Sequence, residues 1–433
     1  MTREEQRRRR PAPSQTQRKK GQVKNTRPQQ YQRKTPEQRQ KEREAWEASR
    51  GPLDLPFLLL TMLLLAVGLI MLFSASFPSA QAYENDPMYY VKRQAIFAVI
   101  GVFAMFVVGR INYQSFRSMA KYAFFGSLAL LVLVIIPGVG ITRNYSTRWL
   151  GIPGTALTLQ PSELMKLGII IYFALTIAKK RELMQTFRYG IWDYGKWLAV
   201  IAVLMLMEPH VSGMILLLGI GAVMMVVGGM HWKWVAVGIG GALGGIYLLL
   251  FTPLMEIVGY NSDRITTWKD PFWDPQGASW QMAQSFITIG SGGLLGVGLG
   301  KSRQKFMFLP EEHNDFIFAV VCEELGFVGA ILILLLFALL ICRGYWIAFH
   351  CRDRYSFLVA AGISTLLAIQ VILNVAVVTN TIPCTGISLP FFSYGGTALW
   401  IELGEMGILL SISREVYDGA PQPKKRKQER III

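Results

Sequence analysis

The sequence predicts an all-α fold, that of a polytopic integral membrane protein with about ten transmembrane helices and a long extracytoplasmic loop before the eighth. Two observations predict this class. Of the 433 residues, 52% are hydrophobic although the formal net charge is +16, a combination that ordinary soluble domains do not show. Uncharged apolar blocks also recur between Leu55 and Ile412, and most charged residues lie between these blocks.

Each block is long enough to form one crossing, which needs about 20 residues of helix. We place the helices near residues 55–76, 94–109, 123–138, 162–178, 197–208, 211–229, 233–252, 316–341, 357–378 and 395–413. The fifth block is short and ends in Glu208-Pro209-His210, a pattern typical of a broken helix. The sequence shows no convincing inverted repeat of the kind found in many secondary transporters, which argues against that class.

The basic residues of the short loops orient the chain. They fall on the same side as the basic N-terminus: Arg110, Arg117, Lys121, Lys179, Lys180, Arg181, Arg188, Arg343, Arg352, Arg354 and the run Lys424-Lys425-Arg426-Lys427. Such residues are enriched on the cytoplasmic side of a membrane. We therefore expect both termini to be cytoplasmic. The segments expected to face outward are residues 83–90, 139–161, 253–314 and 379–396.

Composition divides the chain into three parts. Residues 1–54 are rich in Gln, Arg and Lys and contain hardly any aliphatic residue, which predicts a disordered basic cytoplasmic tail. Residues 55–413 form the transmembrane domain, and residues 414–433 form a second basic cytoplasmic tail. A basic run beside a membrane span is better explained by attraction to anionic lipid headgroups than by nucleic acid, so no nucleic-acid partner is expected.

The outer loop at residues 253–314 is much longer than an ordinary connection, and loops of this length are usually functional or disordered. It is too aromatic for disorder. Its aromatic residues include Trp268, Phe272, Trp273, Trp280, Phe286, Phe306 and Phe308. Apolar and aromatic residues are mixed here with Arg264, Lys269, Asp270 and Asp274, so we expect a lid or re-entrant element in the headgroup layer over the outer face.

A polar cluster, Leu309-Pro310-Glu311-Glu312-His313-Asn314-Asp315, leads directly into the eighth block. Two explanations of Asp315 are open. It can cap the helix N-terminus, a position at which Asp is among the preferred residues. Alternatively it is a functional carboxylate, since ionisable groups at membrane depth usually serve function.

Further ionisable residues lie within the apolar blocks, where charge is costly. The carboxylates among them are Glu323, Glu324, Glu402 and Glu405, which need cationic partners or protons. Lys166 is the obvious intramembrane cation, and it shares a helical face with Glu163, three residues earlier. A first-turn acid that complements the helix dipole is the simpler explanation of Glu163.

The glycine-rich segment from Gly292 to Ser302 ends in Gly-Lys-Ser but is not a nucleotide-binding loop, because position 295 is Leu where that motif requires Gly. Close backbone packing is favoured over contacts with a lipid pyrophosphate. His210 and His313 are both predicted on the outer side without metal-site spacing, so the metal ligands are unknown. Asp and Glu near the lid could still hold Mg²⁺ together with a pyrophosphate.

Several motifs resemble, in the same order, those of the SEDS proteins (shape, elongation, division and sporulation), whose members include FtsW, RodA and SpoVE. The resemblance spans most of residues 55–413. The motifs are Arg148-Trp149-Leu150-Gly151, Gln160-Pro161-Ser162-Glu163-Leu164-Met165-Lys166, Gln284-Ser285 with Gly290-Ser291-Gly292-Gly293, Leu309 to Phe318 with Glu323-Glu324-Leu325-Gly326, Pro383-Cys384-Thr385-Gly386, and Leu389 to Gly396.

The resemblance implies a peptidoglycan glycosyltransferase that polymerises lipid II on the outer face of the bacterial cytoplasmic membrane. The growing glycan on undecaprenyl pyrophosphate would be the donor, and the 4-hydroxyl of a lipid II GlcNAc the acceptor. The family's essential aspartate falls on Asp315, which would be the catalytic base. By position in the motifs, the substrate-binding residues would be Arg148, Glu163, Lys166, Gln284, His313, Thr385 and Ser393.

The resemblance also implies partners and a cofactor. Such enzymes work with a class B penicillin-binding protein and other divisome membrane proteins, and Mg²⁺ or another divalent cation could offset the pyrophosphate charge. The basic N-terminal tail and the stretch from Lys305 to Pro310 most resemble FtsW, which implies septal synthesis in cell division. The alternatives are a RodA- or SpoVE-type role in elongation or sporulation, a lipid II flippase, and a non-catalytic divisome scaffold.

The chain departs from the family at one motif. A Gln-Pro-Asp motif of the family is here Glu208-Pro209-His210. The change from Asp to His argues against a direct catalytic role for position 210.

Overall fold

The computed structural model describes residues 51–143, 146–151, 158–251 and 262–416. Each predicted block coincides with a long helix in this part of the chain. These helices are α1 (Leu55–Glu84), α2 (Tyr89–Arg110), α3 (Tyr113–Ile135), α4 (Pro161–Lys180), α5 (Asp193–Met207), α6 (Val211–Val227), α7 (Trp232–Phe251), α10 (Ile317–Phe349), α11 (Arg354–Val378) and α12 (Gly396–Val416). Two shorter helices, α8 (Ser262–Lys269) and α9 (Trp280–Gly292), lie in the predicted outer loop.

Seven helical segments of the described ranges are long and apolar enough to cross a membrane. They are α1, α2, α3, α10, α11, α4 with the 3₁₀ turn Arg181–Gln185, and α5 with the preceding π-helical turn Arg188–Trp192. The apolar helix α6 is shorter, at 17 residues. The predicted all-α, polytopic membrane fold is confirmed, whereas the number of ten crossings stays a prediction.

Contacts join helix ends that the sequence places on the same side of the membrane. At the predicted cytoplasmic end, Asp54 accepts a hydrogen bond from Phe57 N at 2.9 Å and pairs with Arg343 Nη2 at 2.8 Å. At the same end, Gly51 N donates to Arg414 O at 3.1 Å. Residues 51–54, which the sequence assigns to the disordered tail, therefore pack against the bundle. Residues 1–50 and 417–433 of the predicted tails lie outside the described residues.

The helices α4 and α11 are the most buried of the candidate spans and form the centre of the bundle. They pack against each other closely, and Ile170 of α4 lies against Gly362 of α11. Because both helices run through the interior, the polar residues that they carry are held away from lipid. These residues include Lys166 on α4 and Asn374 on α11.

A small antiparallel sheet occupies the predicted outer segment before α4. Its strands are β1 (Gly140–Arg143), β2 (Ser146–Gly151) and β3 (Thr158–Leu159), in the order β1-β2-β3. Leu150 lies opposite both Gly140 and Leu159. The sequence prediction contained no strand, because strands this short have too little alternation to stand out from a loop. The sheet places Arg148 at the mouth of the bundle.

The predicted lid is partly helical. Its helix α8 is tied to the segment after α11: Trp268 Nε1 donates to Thr381 O at 3.3 Å, and Asn380 Nδ2 donates to Trp268 O at 3.0 Å. The ring of Phe272 packs beside Phe286 of α9. Aromatic residues thus attach this segment to its neighbours, whereas its role as a lid stays a prediction. Residues 252–261 lie outside the described residues.

The glycine-rich segment after α9 packs against α10 through its backbone. Val297 N donates to Glu323 O at 2.9 Å, and Gly298 N donates to Glu324 O at 3.0 Å. The helical backbone of α10 is interrupted at Gly326, whose φ of +69° is readily adopted only by glycine. The amides of this segment are directed at a helix, so close packing, and not pyrophosphate binding, explains these glycines.

The same packing provides partners for two buried carboxylates. Glu324 Oε1 lies 2.9 Å from Lys305 Nζ and accepts a hydrogen bond from Ser74 Oγ at 2.6 Å. Glu323 accepts a hydrogen bond from the Ser302 hydroxyl and one from Arg303 N, the latter at 3.0 Å. These contacts assign Glu323 and Glu324 to the attachment of the outer loop onto α1 and α10.

Candidate active site

A cavity of about 1290 Å³ lies at the predicted outer ends of the helices. Strand β2, the first turns of α4, the turn between α5 and α6, the loop before α10 and the segment before α12 line it. The structure brings together seven of the eight predicted site residues on its wall: Arg148, Glu163, Lys166, His313, Asp315, Thr385 and Ser393.

Gln284 is the predicted site residue that this cavity wall does not include. It is buried in α9, and its neighbour Gln281 lines the cavity instead. The two residues differ by about 60° around the helix axis. Sequence motifs do not specify which side of a short helix faces the cavity, so the sequence could not distinguish these two glutamines.

Asp315 does not cap α10. The N-cap of this helix is Phe316, and no side-chain hydrogen bond is made at that cap. By contrast, Asp54 caps α1 and Asp353 caps α11 through hydrogen bonds from Phe57 N and Ser356 N. The capping explanation of Asp315 is therefore wrong. Its half-buried side chain lines the cavity.

Three contacts fix the backbone around Asp315. Asn374 Nδ2 donates to Asp315 O at 2.9 Å and to Ile387 O at 2.6 Å. Ser393 Oγ donates to Asn314 O at 2.8 Å. These contacts attach the loop before α10 to α11 and to the segment before α12. In this arrangement Ser393 is a positioning residue.

The environment of Asp315 favours a proton on its carboxyl. Burial and, to a smaller extent, the charge of Glu311 raise the pKa of Asp315 to about 6, against the opposing effects of Arg148 and His313. A carboxylate with a pKa near neutrality can take up a proton and release it again. Asp315 has the properties of a general base.

Glu163 and Lys166 form an ion pair on the cavity wall, with Lys166 Nζ 2.5 Å from Glu163 Oε2. Glu402 also lines the cavity and accepts a hydrogen bond from Phe391 N at 3.2 Å. Glu405 lies deeper on the same helix and is buried. Lys166 is therefore the intramembrane cation of this cluster, as its spacing from Glu163 indicated.

The predicted residues His313 and Thr385 both lie on the cavity wall. His313 stacks on the ring of Tyr90 with 4.5 Å between centroids, and its Nδ1 is 3.3 Å from Glu312 Oε1. The hydroxyl of Thr385 is buried without a hydrogen-bond partner in the described part of the chain. The carbonyl of Thr385 accepts a hydrogen bond from the Ser212 hydroxyl.

Sequence reasoning missed several residues that build the site. The most important are Asn374 and Arg264, whereas Gly386 was quoted within a motif but received no role of its own. A signal existed for Asn374, because an uncharged polar residue inside an apolar block is itself unusual. No local signal indicated a role in the site for Arg264, which the sequence analysis names only among the charged residues of the predicted lid.

The fold and this site define a multi-pass, predominantly helical membrane protein with a polar cavity at one end of its bundle. Its sequence matches the family model described as cell cycle protein, of the FtsW, RodA and SpoVE type, over residues 55–418. The chain therefore belongs to this family.

Similar proteins agree with this assignment. Stage V sporulation protein E of Bacillus subtilis is 42% identical over 362 residues, covering 83% of this chain and 97% of that protein. A probable peptidoglycan glycosyltransferase FtsW of Geobacter metallireducens is 38% identical over 360 residues, covering 83% of this chain and 94% of that protein. These identities do not separate a division role from a sporulation role.

Solved structures show the same fold. A chain from a peptidoglycan synthase complex that coordinates polymerization and crosslinking aligns with a TM-score of 0.70 at 26% identity, covering 84% of this chain and 98% of that chain. The rod shape determining protein RodA of Thermus thermophilus aligns with a TM-score of 0.61 at 26% identity and the same coverage.

Proposed function

We propose that this chain polymerises lipid II into glycan strands, with Asp315 as the general base. The class of activity is peptidoglycan glycosyl transfer, in agreement with the names of the FtsW relatives. The observation that carries the mechanism is the position of Asp315, whose carboxylate lines the polar cavity and has no helix-capping role. A base at this place can reach a sugar hydroxyl at the outer face of the membrane.

The proposed step inverts the anomeric centre of the donor. The acceptor 4-hydroxyl loses its proton to Asp315 as its oxygen forms a bond to the donor's anomeric carbon. The bond from that carbon to the pyrophosphate oxygen breaks, and its electron pair leaves with undecaprenyl pyrophosphate. Cations fixed beside the leaving group stabilise the charge that develops on it.

We also propose that a divalent cation such as Mg²⁺ offsets the charge of the pyrophosphate. Among the described residues, no group of three or more His, Cys, Asp or Glu side chains is placed to hold a metal ion. Mg²⁺ is commonly bound by one or two carboxylates together with substrate phosphates. Glu311 could supply a carboxylate, and the remaining ligands would be pyrophosphate oxygens and water.

A class B penicillin-binding protein is the proposed partner, together with other divisome membrane proteins. A chain of the same fold comes from a peptidoglycan synthase complex, which supports a partner of this kind. We further propose a bacterial cytoplasmic membrane location, with both termini cytoplasmic and enrichment at the division septum. The basic residues of the short loops support this orientation.

Asp315→Asn tests the mechanism. The purified variant, mixed with its partner and labelled lipid II, should make glycan strands at least about 10²-fold more slowly than the wild type, as expected on removing a general base. Asp270→Asn is the matched control, because Asp270 is exposed on the lid and lies outside the cavity wall. A rate for Asp315→Asn within a few-fold of the control would refute the mechanism.

The same variant separates the alternative functions. A flippase would move labelled lipid II across vesicle membranes without making strands, and Asp315→Asn would leave strand formation at the same background level as the wild type. A non-catalytic scaffold would tolerate the substitution in a cell that depends on this protein. We expect instead strand synthesis by the wild type and loss of complementation by the variant.

A further inference from the structure

We propose that Arg148 and Arg264 together bind the pyrophosphate of the lipid substrate, and that the Thr385 hydroxyl and the His210 ring complete this anion subsite. This inference rests on the proposed function, because it assigns the pyrophosphate of that substrate to one side of the cavity. It also makes the lid helix α8, which carries Arg264, part of the substrate site.

Backbone carbonyls orient both arginines at the cavity wall. Arg148 Nη2 donates to Pro209 O at 2.5 Å, and Arg264 Nη1 donates to Cys384 O at 3.3 Å. Both side chains line the cavity. A guanidinium presents several N–H donors in a planar fork that matches phosphate oxygens. Two such forks, fixed from different segments of the chain, suit the two phosphates of a pyrophosphate.

The two arginines act on each other electrostatically across the cavity. Burial lowers the pKa of Arg148, and the like charge of Arg264 lowers it further, although Asp315 and Glu208 have the opposite effect. Two cations that face one cavity repel each other, and an anion bound between them removes this repulsion. A pyrophosphate diester carries two negative charges, one for each arginine.

Unpartnered polar atoms mark the same part of the wall. Arg148 Nε, His210 Nδ1 and Thr385 Oγ1 are buried and have no hydrogen-bond partner in the described part of the chain. Buried polar groups in proteins nearly always have a partner, so three such atoms around one cavity indicate a ligand with several hydrogen-bonding oxygens. Pyrophosphate has this chemistry.

His210 suits an anion subsite because it is neutral. Burial lowers the pKa of His210 to about 3, with smaller contributions from the charges of Arg148 and Lys166. A neutral imidazole offers one N–H donor and carries no charge. The aspartate of the family pattern at this position would add a negative charge beside the phosphates, and His210 avoids it.

Lys166 is less suited to the pyrophosphate than the two arginines are. Its ammonium is already 2.5 Å from Glu163 Oε2, and Glu402 and Glu405 add further negative charge around it. A lysine surrounded by carboxylates has little net positive charge to offer to a dianion. We therefore infer that Lys166 neutralises the carboxylates of its own cluster, which are Glu163, Glu402 and Glu405.

The test measures binding without turnover. Full-length protein in detergent is titrated with undecaprenyl pyrophosphate, undecaprenyl phosphate and undecaprenol. The wild type should bind the pyrophosphate most tightly. Arg148→Gln and Arg264→Gln should each weaken pyrophosphate binding by about 10- to 100-fold, as expected for lost hydrogen bonds to a charged group, and should leave undecaprenol binding unchanged. Thr385→Val should weaken pyrophosphate binding less, by a few-fold.

Lys269→Gln is the matched control, because it removes the same charge from the same lid helix at an exposed residue outside the cavity wall. If Lys269→Gln weakens pyrophosphate binding as much as Arg264→Gln does, general attraction explains the effect and the subsite is overturned. Unchanged pyrophosphate affinity in Arg264→Gln or in Thr385→Val would overturn it too. Thr385→Val keeps every charge and tests the subsite independently if Arg148→Gln fails to fold.

The binding assay distinguishes this inference from the proposed function. Arginine-dependent pyrophosphate binding by a protein that makes no strands would support the subsite and contradict the polymerase. Strand synthesis with an unchanged Michaelis constant for lipid II in Arg264→Gln would support the polymerase and contradict the subsite.

Discussion

The carboxylate of Asp315 lies against the backbone of Gly386, so closely that a Cβ on Gly386 would stand 2.8 Å from Asp315 Oδ2. Gly386 also has a φ of +65°, in the left-handed region that side chains disfavour. Both facts require glycine at this position. The segment before α12 therefore determines how far Asp315 projects into the cavity.

Gly386→Ala should slow glycan synthesis by at least about 10-fold while Asp315 itself is unchanged, since a displacement of about 1 Å at a reacting group can cost about 10²-fold in rate. The left-handed backbone should also cost about 1–2 kcal/mol of folding free energy. The measurements are initial rates with labelled lipid II and thermal unfolding in detergent.

Gly290→Ala is the control for this substitution. Gly290 lies in α9, and no atom lies within 4 Å of the position where its Cβ would be. Alanine there should leave the rate unchanged. Equal rates for Gly290→Ala and Gly386→Ala would show that contact with Asp315 does not matter.

Asn374→Leu should lower both stability and rate. The substitution leaves the carbonyls of Asp315 and Ile387 without their donor, and each buried unsatisfied group costs about 1–3 kcal/mol. The loop that carries Asp315 should then become less well positioned. Thermal unfolding in detergent and the initial rate at saturating lipid II measure the two effects.

Ser364→Ala on the same helix is the matched control, because Ser364 donates only to Ala360 O within α11. It should change stability and rate little. If Asn374→Leu and Ser364→Ala have the same stability and the same rate, the attachment of the Asp315 loop through Asn374 does not matter for function.

The rate of strand synthesis should rise with pH and level off above about pH 6, since Asp315 has a pKa of about 6. The rate rises with pH because a general base is inactive when it is protonated, that is, below its pKa. Glu311→Gln removes a charge that raises the pKa of Asp315, so it should move the rising part of the profile to lower pH. Initial rates between about pH 5 and 8 measure it. A shift to higher pH would contradict this account of Asp315.

Topology can be tested at the lid. In a variant without the four native cysteines, Gln276→Cys should react with an impermeant thiol reagent in intact cells, because Gln276 is exposed in the predicted outer loop. Tags inserted at positions 20 and 430 should be inaccessible under the same conditions. If Gln276→Cys is protected from the reagent, or if either tag is accessible, the predicted orientation is wrong.

The sequence alone determined the fold class, the positions of the long helices and the family. The reason is that a bilayer imposes a minimum apolar length on every crossing, so spans can be read from one stretch of chain at a time. The sequence also singled out Asp315, which lines the cavity, because its motif is contiguous. The candidate wall residues from Arg148 to Ser393 followed from motifs of the same local kind.

Only the tertiary structure decided how these residues work together. Asn374 contacts Asp315 across 59 positions, and Arg264 contacts Cys384 across 120 positions. The small sheet, the partner of Lys305 and the burial of Gln284 also depend on distant segments. Such contacts form when packed helices bring remote residues to one place, and the hydrophobic pattern along a single helix carries no information about its polar neighbours. The roles proposed for Lys166 and for the two arginines therefore rest on contacts that only the folded chain contains.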